Sequence, residues 1–113
     1  MKALVPLLAL ASTVPAPVQA GAAGFILVNG TEAALADVTI RRAGTESWTK
    51  LGATPSPGAN QAVDFKDRDC AFDIRADVGG KPVTWAAVNL CEVKSVTLKS
   101  DSAAGPWVDY DAP

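Results

Sequence analysis

Apolar and polar residues alternate along much of the chain with a period of two, the signature of strands with one buried face. The pattern is clearest from position 70 to 78, where Cys70, Phe72, Ile74, Ala76 and Val78 share one face and Ala71, Asp73, Arg75 and Asp77 the other. A second β-type run, Val83 to Leu90, follows the turn sequence Gly79-Gly80-Lys81-Pro82. Phe25-Ile26-Leu27-Val28 forms a short apolar strand closed by Asn29-Gly30-Thr31, and Asp37 to Arg42 alternates with Val38 and Ile40 on one side. Gln61 to Phe65, Glu92 to Lys99 and a terminal edge piece, Trp107-Val108, complete the β-type runs. Glu32 to Ala36 could begin a helical turn. Trp48 and Leu51, spaced i and i+3, read as one helical turn or as an irregular bridge plugging the sheet end. No longer segment keeps a helical period, so six or seven short strands set the expected class as all-β. The expected arrangement is a Greek-key sandwich of immunoglobulin-like type, with a small barrel as the alternative.

Cys70 and Cys91 fall at matching ends of the predicted hairpin. A four-residue loop from Gly79 to Pro82 pairs Val78 with Val83. Continued antiparallel, that register sets Ala76 opposite Trp85, Ile74 opposite Ala87, Phe72 opposite Asn89 and Cys70 opposite Cys91. Opposed Cβ atoms lie about 4.5–5.5 Å apart, within small adjustment of disulfide geometry. A two-residue loop would leave Cys70 opposite Asn89, so the expected disulfide carries an expected loop with it. Closing this loop contributes about 3 kcal/mol in the chain-entropy treatment. The competing readings are weaker in pattern. A redox pair favours Cys-x-x-Cys beside a helix start. A zinc site needs four ligands, and the chain has no histidine. Free thiols are the remaining alternative.

Residues 1–20 have the plan of a secretory signal: Lys2, an apolar run from Ala3 to Ala11, then a proline-broken stretch ending Val18-Gln19-Ala20. The apolar run is far shorter than the roughly 20 residues that span a bilayer, so no stable membrane insertion is expected after cleavage. Residues 21–113 are then a single β-sandwich domain. With Lys2 removed from the ten basic residues, nine face twelve acidic ones, a net charge of 9 − 12 = −3. That charge, with no basic cluster, argues against nucleic acid as a partner. A domain of this size buries only about 60–65% of its unfolded surface, which makes a covalent staple valuable.

The chemical inventory is thin. Without histidine, Ser-His-Asp triads are excluded, and no spacing marks out a Ser-Lys dyad. Asp64, Asp67 and Asp69 crowd one turn, but Lys66 and Arg68 interleave, and a solvated charged turn is the simpler reading than a calcium loop. Asp73, Arg75 and Asp77 read as a solvent-facing row. Trp85 is expected in the core, and Trp48 and Trp107, near breaks, as caps on it. Asn29-Gly30-Thr31 matches a glycosylation sequon, although the turn accounts for it without modification. Thr54-Pro55-Ser56-Pro57-Gly58 suits neither sheet nor helix and is a surface loop.

The early strand ending in Asn29-Gly30-Thr31, the Trp48 to Leu51 element, Cys70-Ala71-Phe72-Asp73-Ile74-Arg75 and Val88-Asn89-Leu90-Cys91 together resemble a loosely defined family of small exported proteins of Gram-negative bacteria. The resemblance covers most of residues 21–113 and implies fold and export, with no catalytic residues to carry over. The functional expectation is a non-enzymatic binding or structural module, periplasmic or secreted, with a protein or peptide partner and no cofactor. Unpaired edge strands offer one route, β-augmentation. The alternative is an inhibitor of a secreted protease or lysozyme, with Thr54, Pro55, Ser56, Pro57 and Gly58 as the loop entering the target cleft.

Overall fold

The computed structural model describes residues 21–113; the proposed signal segment 1–20 lies outside the described residues. Eight strands follow in order: β1 (Phe25–Asn29), β2 (Leu35–Arg42), β3 (Thr49–Lys50), β4 (Asn60–Val63), β5 (Ala71–Val78), β6 (Lys81–Asn89), β7 (Ser95–Asp101) and β8 (Gly105–Asp111). They form two four-stranded sheets, β4-β1-β7-β8 and β3-β2-β5-β6. The inner faces share one core, with Phe25, Leu27, Val96 and Leu98 from the first sheet against Leu35, Ile40, Phe72, Ile74, Trp85 and Val88 from the second. The all-β class stands, with eight strands where six or seven were expected. The extra strand is β3: the Trp48 to Leu51 element is not helical, because Thr49 and Lys50 pair with Ile40 and Thr39 of β2. Trp107-Val108 grows into the seven-residue β8.

The strand order differs from the immunoglobulin pattern, in which the first strand lies beside the second. Here β1 sits between β4, antiparallel, and β7, parallel, while β2 lies in the opposite sheet between β3 and β5. The chain therefore crosses between sheets after β1, β3, β4 and β6, and forms hairpins only at β2–β3, β5–β6 and β7–β8.

The cysteine hairpin is built differently from the four-residue-loop expectation. Val78 pairs with Lys81, so the loop is the two residues Gly79 and Gly80, at φ +59° and +85°. Positive φ at both central positions is the requirement of the type I′ hairpin turn, whose twist matches the strands it joins. The resulting register sets Ile74 opposite Trp85. It then shifts by one residue, so that Ala86 and Ala87 together face Asp73, and Phe72 pairs with Val88. This β-bulge turns Val88 and Leu90 inward and leaves Ala87 and Asn89 exposed. A matching bulge at Asp37 and Val38 of β2 lets Leu35 and Val38 both reach the core. Each bulge holds a non-glycine residue at positive φ, Asp37 at +51° and Ala87 at +53°.

Past the bulge the Leu90 N–H donates to the Cys70 carbonyl at 2.9 Å, and Cys91 follows. The disulfide joins Cys70 to Cys91 with Cα atoms 5.1 Å apart, as expected, although the two are offset by one position rather than directly opposed. Neither cysteine is buried, in contrast to the apolar placement the simple register implies. Ala22, itself buried, bridges to both Asp67 and Cys91, which tucks the start of the domain against the staple.

Candidate functional site

The turn carrying Asp67 and Asp69 gathers around a cation of the chain itself. Arg42 Nε lies 3.2 Å from a carboxylate oxygen of each. Asp67 also accepts the Asp69 N–H at 2.9 Å. That backbone hydrogen bond, followed by the Arg42 pairing against some desolvation, holds its carboxyl below the ordinary range. Among the described residues no group of three or more His, Cys, Asp or Glu side chains is arranged to hold a metal ion.

The Thr54–Gly58 loop is tied to the sequon residue. Asn29 is fully buried. Its Nδ2 donates to the carbonyls of Ala33 and Pro55, both at 2.9 Å. Its Oδ1 accepts the Thr31 N–H at 2.8 Å and faces the Thr31 hydroxyl at 2.6 Å. The Asn29 carbonyl in turn accepts the Gly58 N–H at 2.8 Å. Pro55 is buried, and only Thr54, Ser56, Pro57 and Gly58 are exposed. A Cβ at Gly30 would lie 3.0 Å from the Leu98 carbonyl oxygen, so close backbone approach explains the glycine. Asn29-Gly30-Thr31 is thus a buried polar clamp, and a glycan on Nδ2 is incompatible with its hydrogen bonds.

On the outer face of the β3-β2-β5-β6 sheet, Asp73 is only 6% exposed, unlike the solvent-facing row expected from its parity. Its Oδ1 accepts the Ala87 N–H at 2.9 Å and its Oδ2 accepts Arg41 Nε–H at 2.8 Å. Trp48 does not cap the core. The Arg41 guanidinium carbon lies 4.4 Å from its ring centroid and that of Arg75 4.1 Å, both within cation–π range.

Among the grooves of the described residues, two set aromatic beside charged or exposed side chains. One, of about 300 Å³, has Ile40, Phe65 and Phe72 as its apolar floor and Arg42, Asp67 and Ser47 on its rim. Phe65 meets Phe72 edge-to-face at 5.1 Å. The other, of about 170 Å³, runs between β6 and β8 and is lined by Trp85, Ala86, Pro106, Trp107, Val108 and Tyr110. Trp85 is core, as expected, and its Nε1–H donates to the Lys99 carbonyl at 2.8 Å. Trp107, 40% exposed, and Tyr110, 48% exposed, are the exposed large hydrophobic residues among those described. The Tyr110 hydroxyl accepts the Asn89 N–H at 2.9 Å and so ties the edges of the two sheets together.

β8 pairs with β7 in unbroken register from Gly105 to Asp111, and among the described residues no strand pairs with its other edge. Lys99 reaches Asp109 at 3.7 Å, leaving Asp111 without an ion pair among the described residues. The terminal piece Trp107-Val108 lies at a sheet edge, as expected, within the longer β8.

No family model and no curated protein sequence matches the chain. Among solved structures, the NMR structure of a protein from Eubacterium rectale superposes with a TM-score of 0.51 at 13% identity, covering 87% of this chain and 96% of that one. At that identity the likeness shows the fold alone. Among the described residues no helix is long and apolar enough to cross a membrane.

Proposed function

We propose that the protein is an exported, non-enzymatic binding module that takes an extended peptide segment of a partner along the free edge of β8. The observation that carries this reading is a coincidence of three features. The seven-residue β8 edge is unpaired among the described residues, the exposed aromatics Trp107 and Tyr110 stand on it, and a groove runs beside it toward β6. A peptide added as a ninth strand would satisfy the outward N–H and C=O groups of β8, and its alternate side chains would enter the groove. Trp and Tyr supply contact area at little entropic cost. Asp111, which makes no ion pair among the described residues, favours a partner segment with Lys or Arg. Each edge contains one proline, Pro82 in β6 and Pro106 near the start of β8, but the β6 edge is also interrupted by the bulge at Ala86 and Ala87 and is the poorer template. The disulfide supports an oxidising destination, periplasmic or extracellular. The histidine-free sequence supports a role without catalysis.

The test is selection from a random-peptide display library on the immobilised mature protein. We expect enriched peptides of alternating β-branched and basic residues, whose binding falls at least tenfold on Trp107→Ala. Failure to enrich, or enrichment indifferent to Trp107, counts against the reading.

The inhibitor alternative rests on the Thr54–Gly58 loop, which is preorganised by Asn29 as a cleft-entering loop would need to be. Replacing Ser56 and Pro57 by Gly would abolish inhibition of a susceptible protease or lysozyme and leave peptide capture at β8 unchanged.

A further inference from the structure

We infer that the outer face of the β3-β2-β5-β6 sheet carries a second binding site, for the carboxylates of an acidic protein segment, with Arg75 as its principal contact. The site lies on a different sheet from β8 and does not depend on the β8 reading.

Its geometry follows from strand pairing. Thr49 pairs with Ile40, which brings Trp48 alongside Arg41. Arg41 pairs with Asp73, and Arg75 stands two residues further along β5 on the same face. Both guanidinium carbons lie within 4.4 Å of the Trp48 centroid, so a single indole holds the two cations close together.

One carboxylate serves this pair of cations, and it serves Arg41. Asp73 gives one oxygen to Arg41 and the other to the Ala87 N–H, leaving nothing for Arg75. Arg75 makes no ion pair among the described residues, and neither Asp77 on the same face nor any other acid reaches it. The patch therefore keeps an uncompensated positive charge on a chain of net charge −2.

Stacking leaves the guanidinium edge, with its fork of N–H donors, free to bind a carboxylate bidentately. The indole also restricts the arginine in advance, so less freedom is lost on binding. Thr39 and Thr84 are the cross-strand partners of Arg75, and the Thr39 hydroxyl donates to the Arg75 carbonyl at 3.5 Å. Neither groove includes Arg75, and an open sheet face suits an extended acidic segment better than an enclosed small anion. Trp and Arg are also the residue types that dominate protein–protein hot spots.

The test is a titration of ¹⁵N-labelled mature protein with a hexaglutamate peptide, following the Trp48 indole N–H and the Arg75 side-chain N–H by NMR, with inorganic phosphate as a second arm. We expect saturable shifts at Trp48 and Arg75 with the peptide, none at the Trp107 indole, and at least tenfold weaker binding in Arg75→Gln and Arg75→Lys. The amide spectrum of each variant reports that it is folded, and Lys81→Gln should bind as the wild type does. Absence of saturable shifts, or equal affinity in Arg75→Gln, overturns the inference. Phosphate producing the same shifts at equal concentration overturns its commitment to an acidic segment.

Discussion

The carboxylate of Asp73 accepts a 2.9 Å hydrogen bond from the backbone N–H of Ala87, a residue held at φ +53°. A left-handed conformation costs a non-glycine residue about 1 kcal/mol, and Asp73 offsets that cost by binding the N–H that the bulge would otherwise leave without a partner. The bulge inserts one extra residue into β6. Without it, the two-residue Gly79-Gly80 loop would set Cys70 opposite Asn89, and Cys91 would lie two positions away. With it, Leu90 stands opposite Cys70 and Cys91 comes within disulfide reach. The buried acid, the backbone irregularity and the staple are one device.

Replacing Asp73 by Ala should therefore destabilise the domain by about 2–3 kcal/mol, because it leaves the Ala87 N–H and the half-buried Arg41 guanidinium without their acceptor. Urea unfolding measures the loss. The variant's disulfide should also be reduced faster by dithiothreitol, as a loosened bulge releases the register of Cys91.

Acid should act through the same residue. The Ala87 N–H is the largest influence on the Asp73 carboxyl; together with Arg41 it outweighs desolvation and holds the group below its ordinary value. The folded state then binds this proton less readily than the unfolded one. Its contribution to stability is complete above the ordinary carboxylate range, and is lost as pH falls through that range to the lower folded value. Unfolding free energies measured from pH 7 down to 3 should fall, with a shallower fall in Asp73→Asn.

The disulfide closes a loop of sequence separation 21. Its removal in the paired Cys70→Ala, Cys91→Ala variant should destabilise the fold by about 3 kcal/mol. For a domain of this size that corresponds to a fall in Tm of roughly 12–24 °C. Calorimetry of the variant against the oxidised parent checks it, and electrophoresis of the parent with and without reductant reports the bond.

Asn29→Ala should cost about 3 kcal/mol or more. It strands the carbonyls of Ala33 and Pro55 and the Thr31 N–H, and it empties a fully buried site. Thermal unfolding reads the loss. Proteolysis within residues 54–58 should rise at the same time, since Asn29 is what anchors that loop.

The all-β class and the cysteine pairing were legible because both follow from local alternation and from the redox logic of paired cysteines. The hairpin loop was not, and the reason is specific. A four-residue loop and a two-residue loop with a bulge bring the cysteines to nearly the same place, so the disulfide alone cannot choose between them. A signal for the bulge was present: Trp85, Val88 and Leu90 are spaced by three and then two, as are Leu35, Val38 and Ile40 at the other bulge. In a strand, that break of period means one extra residue. Asp73, by contrast, has the parity of an exposed position, and only Arg41 from a neighbouring strand and Ala87 across the hairpin bury it. The contacts of Trp48 were likewise beyond local pattern, since they depend on the two-residue strand β3. An edge strand at Trp107-Val108 was legible, and the exposure of the Trp107 ring was not.

The proposal that β8 docks a peptide is tested by amide hydrogen–deuterium exchange of the protein with and without a display-selected peptide. Peptide should slow exchange of alternate amides between Gly105 and Asp111, and Trp107→Ala should remove the effect at the same peptide concentration. Protection confined to any other strand or loop, or protection of β8 that persists in Trp107→Ala, would contradict the proposal.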